Sequence, residues 1–170
     1  SSAAPHSAIL DSSGVVSFYE DRDKNVWIGL VNDGGVVCWH INDNSFSAYS
    51  QKDTGKNYCP LRHLSYATED DKGNIWMGYD KGGIAIFDKK QDRFVPIPSH
   101  KKNSIANVAV LGMTNDHHGH LWIATNTGLI QYDEAKNQYK EFTRKDGLPS
   151  NFVKSIITDD SGNILAGFEG

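Results

Sequence analysis

Long apolar runs, basic charge and cysteine are all scarce in this sequence, and each shortage narrows what the protein can be. No segment approaches the roughly 18 apolar residues that a membrane-spanning helix needs. The net charge of −4 gives no positive surface for nucleic acid or for an anionic membrane. The N-terminus lacks the charged and then apolar pattern of a secretory signal, so we expect any export signal to have been removed or to lie upstream.

The two cysteines, Cys38 and Cys59, are too few to identify a redox compartment. Two interpretations of them stay open: a bridge between neighbouring structural units, or two independent small side chains. Because Cys59 falls in a predicted loop, we expect its thiol to be accessible to solvent.

Helical periodicity is missing as well. No segment has apolar residues at positions i, i+3, i+4 and i+7 over three turns. The chain is nevertheless 38% hydrophobic and 11% aromatic, which is too apolar for a disordered chain. The sequence therefore predicts an all-β protein.

A nine-residue unit that begins with Asp and has Trp at its seventh position is repeated along the chain, with Leu replacing Trp in the last copy. The copies lie about 45 residues apart, a period that is typical of a β-propeller with one four-stranded blade per repeat. In the third repeat we predict strands at 108–113, 121–125, 129–132 and 138–142. The copies of the unit are residues 21–29, 70–78, 116–124 and 159–167.

The repeat sets the predicted domain boundaries. We expect an N-terminal tail over 1–9, blade 1 over 10–58, blade 2 over 59–104 and blade 3 over 105–147. Residues 148–170 would form part of blade 4. The prediction is thus a propeller fragment of about three and a half antiparallel blades, whose open ends would leave unpaired strand edges and apolar faces.

Periodic residues favour structural roles over catalytic ones. An Asp that opens every unit is expected to accept hydrogen bonds from the backbone N–H groups of a turn rather than to form a catalytic carboxylate pair. A Trp that recurs once per blade is expected to pack between blades. The glycine pairs at 34–35 and 82–83 lack the strand-to-helix context of a phosphate loop.

Histidines offer the remaining candidate chemistry. His117, His118 and His120 could suggest a metal site, but they occupy a turn that other copies fill with polar residues, so we expect a solvated turn and no bound metal or cofactor. His63, His100 and Ser104 could be combined into a nucleophilic site, although nothing in the sequence fixes their geometry. We predict no catalytic residues.

The second copy carries the motif most fully, with Asp-Asp-Lys-Gly-Asn-Ile-Trp-Met-Gly at 70–78, Gly-Gly-Ile at 82–84 and Phe-Asp at 87–88. Residues 146–151 then form a joining segment, Asp-Gly-Leu-Pro-Ser-Asn. In these motifs about residues 10–170 resemble the two-component regulator propeller repeat, which forms the periplasmic sensor region of bacterial hybrid two-component histidine kinases.

The resemblance implies a ring of about seven blades in the periplasm that detects a carbohydrate breakdown product and controls polysaccharide-use genes. Kinase activity would belong to the parent protein, not to this chain. The expected partners are an oligosaccharide, the remaining blades of the parent chain and, through open edges, a second copy.

Propeller ligands usually contact the loops that join the last strand of one blade to the first strand of the next. Here those loops are 50–63, 98–107 and 143–151. They contain polar, cationic and aromatic side chains suited to sugars. The predicted ligand-binding residues are Tyr58, Arg62, His63, Lys101, Asn103, Asn107 and Asn151.

Two other functions compete with sensing. A propeller lyase or hydrolase would use one catalytic histidine and a bound ion, and His63 and His100 are the candidate histidines. A protein-interaction module would instead hold a macromolecule on one face of the ring.

Overall fold

The computed structural model describes residues 14–31, 35–62, 64–97, 105 and 108–169. These residues form antiparallel sheets in which neighbouring strands follow one another along the chain. Sheet 1 contains β1 (Val15–Glu20), β2 (Val26–Leu30), β3 (Val36–His40) and β4 (Ser45–Tyr49).

Sheets 2 and 3 repeat this order, and sheet 4 contains two described strands. Sheet 2 consists of β5 (Tyr66–Glu69), β6 (Ile75–Gly78), β7 (Ile84–Asp88) and β8 (Arg93–Val95). Sheet 3 consists of β9 (Val110–Asn115), β10 (His120–Thr125), β11 (Leu129–Asp133) and β12 (Gln138–Phe142). Sheet 4 consists of β13 (Val153–Thr158) and β14 (Ile164–Phe168).

The predicted all-β propeller blades are confirmed. In the described part of the chain, helix is limited to short 3-10 turns such as Gly55–Asn57 and Arg144–Asp146. The first strands of consecutive sheets are neighbours, β1 beside β5, β5 beside β9 and β9 beside β13. The sheets therefore stack side by side in chain order as an open, unclosed propeller.

The cores lie between the sheets, because each sheet is buried on the face that meets its neighbour. Trp27 of sheet 1 packs edge-on against Phe87 of sheet 2, with ring centroids 4.8 Å apart. Trp76 of sheet 2 meets Tyr132 of sheet 3 at the same separation. The predicted packing role of the repeated Trp is thus confirmed at both of these junctions.

The glycine two residues after the Trp makes room for the neighbouring sheet. A Cβ on Gly78 would collide with the Val110 side chain of sheet 3, and one on Gly29 would collide with the Leu64 carbonyl. In the turns, glycine is used because of its backbone conformation rather than because of a close contact. Gly73, with φ of 86°, occupies a left-handed position that Lys24 adopts in the first repeat.

Both cysteines are free and buried. Cys59 is fully buried, so the prediction that its thiol is accessible was wrong. The physical reason is that the segment after β4 folds inward, where Cys59 joins Leu61 and Leu64 in the core between sheets 1 and 2. Burial raises the pKa of each thiol to about 12, which keeps both protonated at neutral pH.

Candidate functional site

The turn aspartate of each unit organises its own turn. In the second repeat, Asp70 Oδ1 accepts hydrogen bonds from the backbone N–H groups of Lys72 (3.0 Å) and Asn74 (2.7 Å). Its Oδ2 accepts from Asn74 Nδ2 at 2.8 Å and from the indole Nε1 of Trp76 at 3.0 Å. The repeated motif is therefore scaffold, as predicted, with an indole bond added to the predicted backbone bonds.

The first repeat has the same arrangement around Asp21. Burial alone would raise the pKa of this carboxyl. The hydrogen bonds from Trp27 and Asn25, together with the nearby Lys89 ammonium, outweigh that effect and lower its pKa. The carboxylate is thus held ionised as an acceptor and is not poised to transfer a proton.

The histidines of the third repeat fit the same turn. His120 takes the place of the motif Asn, and its Nδ1 lies 2.9 Å from Asp116 Oδ2. His117 and His118 are exposed. Among the residues that the structure describes, no group of three or more His, Cys, Asp and Glu side chains is arranged to hold a metal ion.

The propeller has two faces, and they are built differently. The turns between first and second strands, and between third and fourth strands, form what we name the turn face. The opposite face, the connection face, carries the turns between second and third strands and the connections from one sheet to the next. On this face Gly35 N donates to Arg62 O (2.9 Å) and Gly83 N donates to Val108 O (3.1 Å), which ties the first and second connections to turns.

A cavity of about 460 Å³ opens on the connection face between the first connection and sheet 2. Gln51, Pro60 and Arg62 lie on its connection side, and Tyr79 with Gly82 to Ala85 lie on its sheet side. Gln51 Nε2 donates to Pro60 O at 2.9 Å, which folds the connection over itself. The cavity therefore combines the amide of Gln51, the guanidinium of Arg62 and the phenol of Tyr79 with the turn and strand residues Gly82 to Ala85.

The structure places the predicted ligand-binding residues in different surroundings. Arg62 is exposed and lines this cavity. Tyr58 is 45% exposed on the same connection but does not line the cavity. Asn151 holds the third connection together, because its Oδ1 accepts from Arg144 N at 2.7 Å. The other predicted residues, His63, Lys101, Asn103 and Asn107, lie outside the described residues, as does the candidate catalytic His100.

Sequence reasoning missed Gln51 and Tyr79. Tyr79 directly follows the motif glycine Gly78, so its position on the turn after β6 could have been found from the repeat itself. Gln51 had no such signal, because nothing in the sequence showed that the connection folds back toward Pro60.

Comparison with known proteins finds one segment that is similar to a known family. Residues 9–32 match the family described as two component regulator propeller. No curated protein sequence matches the chain. Across the described residues, no helix is long and apolar enough to cross a membrane.

Solved structures similar to this chain share its fold at low identity. Two are extracellular domains of hybrid two-component systems from B. thetaiotaomicron. The first is 23% identical with a TM-score of 0.68, and covers 92% of this chain and 19% of its own length. The second is 20% identical with a TM-score of 0.68, and covers 98% of this chain and 23% of its own. This chain thus spans about a fifth of either domain.

A similar fold also occurs in an enzyme. Virginiamycin B lyase from Staphylococcus aureus is 15% identical with a TM-score of 0.65, and the match covers 91% of this chain and 48% of the lyase. The propeller fold alone therefore does not separate sensing from catalysis.

Proposed function

We propose that this chain is part of the ligand-sensing, extracytoplasmic propeller of a hybrid two-component system. The observation that carries the proposal is the two-component regulator propeller match at residues 9–32, set in a fold shared with extracellular domains of such systems. In this proposal the chain itself is not an enzyme, and the blades follow the boundaries 10–58, 59–104, 105–147 and 148–170.

The proposed ligand is an oligosaccharide in the periplasm, and its detection would control polysaccharide-use genes. The connection-face cavity supports this ligand class, because Gln51, Arg62 and Tyr79 supply hydrogen-bonding groups beside an aromatic ring. Sugar recognition needs both features. Ligand occupancy would be passed on by a shift between rigid parts of the larger protein.

Calorimetry with a panel of neutral and acidic oligosaccharides tests the proposal. We expect at least one sugar to bind the purified chain, and the Arg62→Ala variant to bind it at least tenfold more weakly. Arg144→Ala is the matched control, since Arg144 is an exposed arginine on the third connection that does not line the cavity. Absence of binding across the panel, or equal losses in both variants, would contradict the proposal.

A further inference from the structure

The turn face has a cavity of its own, about 460 Å³, between sheets 2 and 3. Its volume lies in the range of ligand pockets. The two cavities share Val95 and Pro96 in their linings, but the charged residues that line this one do not line the connection-face cavity. Its polar lining residues are Asp70, Lys72, Asn74, Asp88, Glu134 and Asn137.

Between sheets 1 and 2 the protein's own side chains occupy the corresponding place. His40, at the end of β3, has its Nδ1 3.3 Å from Asn25 Oδ1 and its Nε2 3.0 Å from Ser47 Oγ. The strand registers show which residues correspond in the next sheet, because Cys38 pairs with Ser47 as Ile86 pairs with Val95. The counterparts of Asn25, His40 and Ser47 are Asn74, Asp88 and Val95.

The imidazole has no counterpart in sheet 2. Asp88 stands at the position of His40, and its carboxylate accepts from the backbone N–H groups of Lys90 (2.9 Å) and Gln91 (3.0 Å). It is therefore engaged with its own turn, whereas the His40 ring lies between Asn25 and Ser47. The position that the His40 ring occupies at the first junction lines the cavity at the second.

The two junctions also differ in charge, because an anion in sheet 3 stands where sheet 2 has a cation. At the first junction Lys89 Nζ lies 2.6 Å from Asp23 Oδ2 and 2.8 Å from Glu69 Oε1. The residue at the Lys89 position in sheet 3 is Glu134, which follows Asp133 as Lys89 follows Asp88.

Glu134 is only 5% exposed. Its Oε1 accepts from Asp71 N at 3.2 Å. The nearby Lys72 Nζ donates to the Glu134 backbone carbonyl at 2.9 Å rather than to the carboxylate. Burial, and then the charges of Asp70 and Asp71, raise the pKa of Glu134, as expected where buried carboxylates lie close together.

The cavity thus has three carboxylates, from Asp70, Asp88 and Glu134, against one ammonium from Lys72. We infer that it binds a small organic cation whose N–H groups donate to the Glu134 carboxylate and the Asn74 amide oxygen. Such a ligand supplies from outside what the His40 ring and the Lys89 ammonium supply at the first junction. Imidazole-bearing amines and amino sugars share this chemistry.

Histamine and glucosamine are the two probes, each titrated separately into the whole chain at pH 6.5. Binding is followed by the NMR signal of the Trp76 indole N–H, because Trp76 lines the cavity and bonds Asp70. We expect a saturable shift with at least one probe. Histamine alone would assign the site to aromatic amines, and glucosamine alone to amino sugars, and either result supports the inference.

Three variants make the test specific. Glu134→Gln is expected to weaken binding at least tenfold. Asp88→His combined with Val95→Ser rebuilds the ring and its partner from the first junction, and is expected to abolish binding with the sheet fold retained by circular dichroism. Asp160→Asn, on an exposed turn of sheet 4, is the control and should bind like the parent chain.

The inference is overturned if neither probe binds, or if both cavity variants bind as tightly as the parent while remaining folded. Its failure is distinguishable from failure of the sensing proposal. Arg62→Ala, on the opposite face, is expected to leave histamine and glucosamine binding unchanged.

Discussion

At the scale of single residues, the turn aspartate joins a turn to a core. Asp70 is 2% exposed and accepts from two backbone N–H groups, one amide and one indole. Asp159 makes the same turn bonds, but Leu165 replaces the Trp, so the indole bond is absent there. Asp70 therefore holds a buried donor that Asp159 does not.

This difference predicts unequal effects of removing the two carboxylates. Asp70→Ala should lower the free energy of unfolding by about 3 kcal/mol, because the buried Trp76 N–H and turn donors lose their acceptor. Asp159→Ala should cost clearly less, since its turn is exposed to water. Urea unfolding of both variants measures the difference. Equal losses would mean that the indole bond adds nothing.

Glu134 gives a prediction with a definite pH dependence. Its pKa is raised in the folded protein, so the folded state favours the protonated form, and stability is lost as pH rises through the folded pKa. Glu134→Gln removes the cost of the buried charge while keeping an acceptor for Asp71 N. We expect the variant to melt higher than the parent at pH 7.

At pH 3.5, where both states protonate the carboxyl, the melting temperatures of Glu134→Gln and the parent should converge. Glu169→Gln, at an exposed position, is the control and should show no pH-dependent difference. A shift of equal size at both pH values would contradict the charge explanation.

Much at this scale was predictable from periodicity. The Asp that recurs in every unit was correctly predicted to cap a turn, and the Trp to pack between blades. The Asp70 bond to Trp76 was not predicted. The two residues are six positions apart, and they come into contact only because the chain reverses direction between β5 and β6. The burial of Cys59 also depended on tertiary packing, which the local sequence does not report.

At the scale of elements, consecutive sheets contact each other through residues of opposite charge, and the order of the charges is reversed at the second junction. At the first junction Asp23 of sheet 1 meets Lys89 of sheet 2. At the second, Lys72 of sheet 2 meets Glu134 of sheet 3 through its carbonyl. The same two repeat positions thus carry reversed charges, so the two junctions differ in the placement of their positive and negative groups.

Removing Lys89 should loosen the first junction. Lys89→Met leaves Glu69 and Asp21, both buried, without their cation, so we expect a loss of about 3 kcal/mol in the free energy of unfolding. Lys24→Met is the matched control, because Lys24 pairs with Glu20 in solvent and should have little effect. Chemical denaturation of the two variants measures both losses of unfolding free energy. Comparable losses would show that Lys89 has no special role at the junction.

The elements themselves were more predictable than the candidate site. Strands follow from short apolar runs between turn residues, and these recur in every repeat. The connections carry the cavity, and they differ from one repeat to the next in length and sequence. Gln51 reaches the cavity only because Pro60 accepts its side-chain hydrogen bond, a contact that periodicity cannot show.

At the scale of the whole molecule, the propeller is open, and its end sheets expose apolar side chains. Sheet 1 has on its outer face a groove of about 560 Å³ in which Phe18, 69% exposed, lies beside Trp39 and Phe46. The equivalent face of sheet 2 is covered by sheet 1, with Phe87 against Trp27. Sheet 4 leaves Ile157 and Leu165 exposed at the other end.

The groove on sheet 1 should bind an apolar fluorescent dye such as anilinonaphthalene sulfonate while the protein is fully folded. Phe18→Ser is expected to remove more than half of the dye fluorescence, because it takes the most exposed ring from the groove. Ile157→Ser, which removes a similarly exposed apolar residue outside the groove, should leave most of the signal. Far-ultraviolet circular dichroism confirms the fold of each variant. Equal dye signals in both variants would place the binding surface elsewhere on the open propeller.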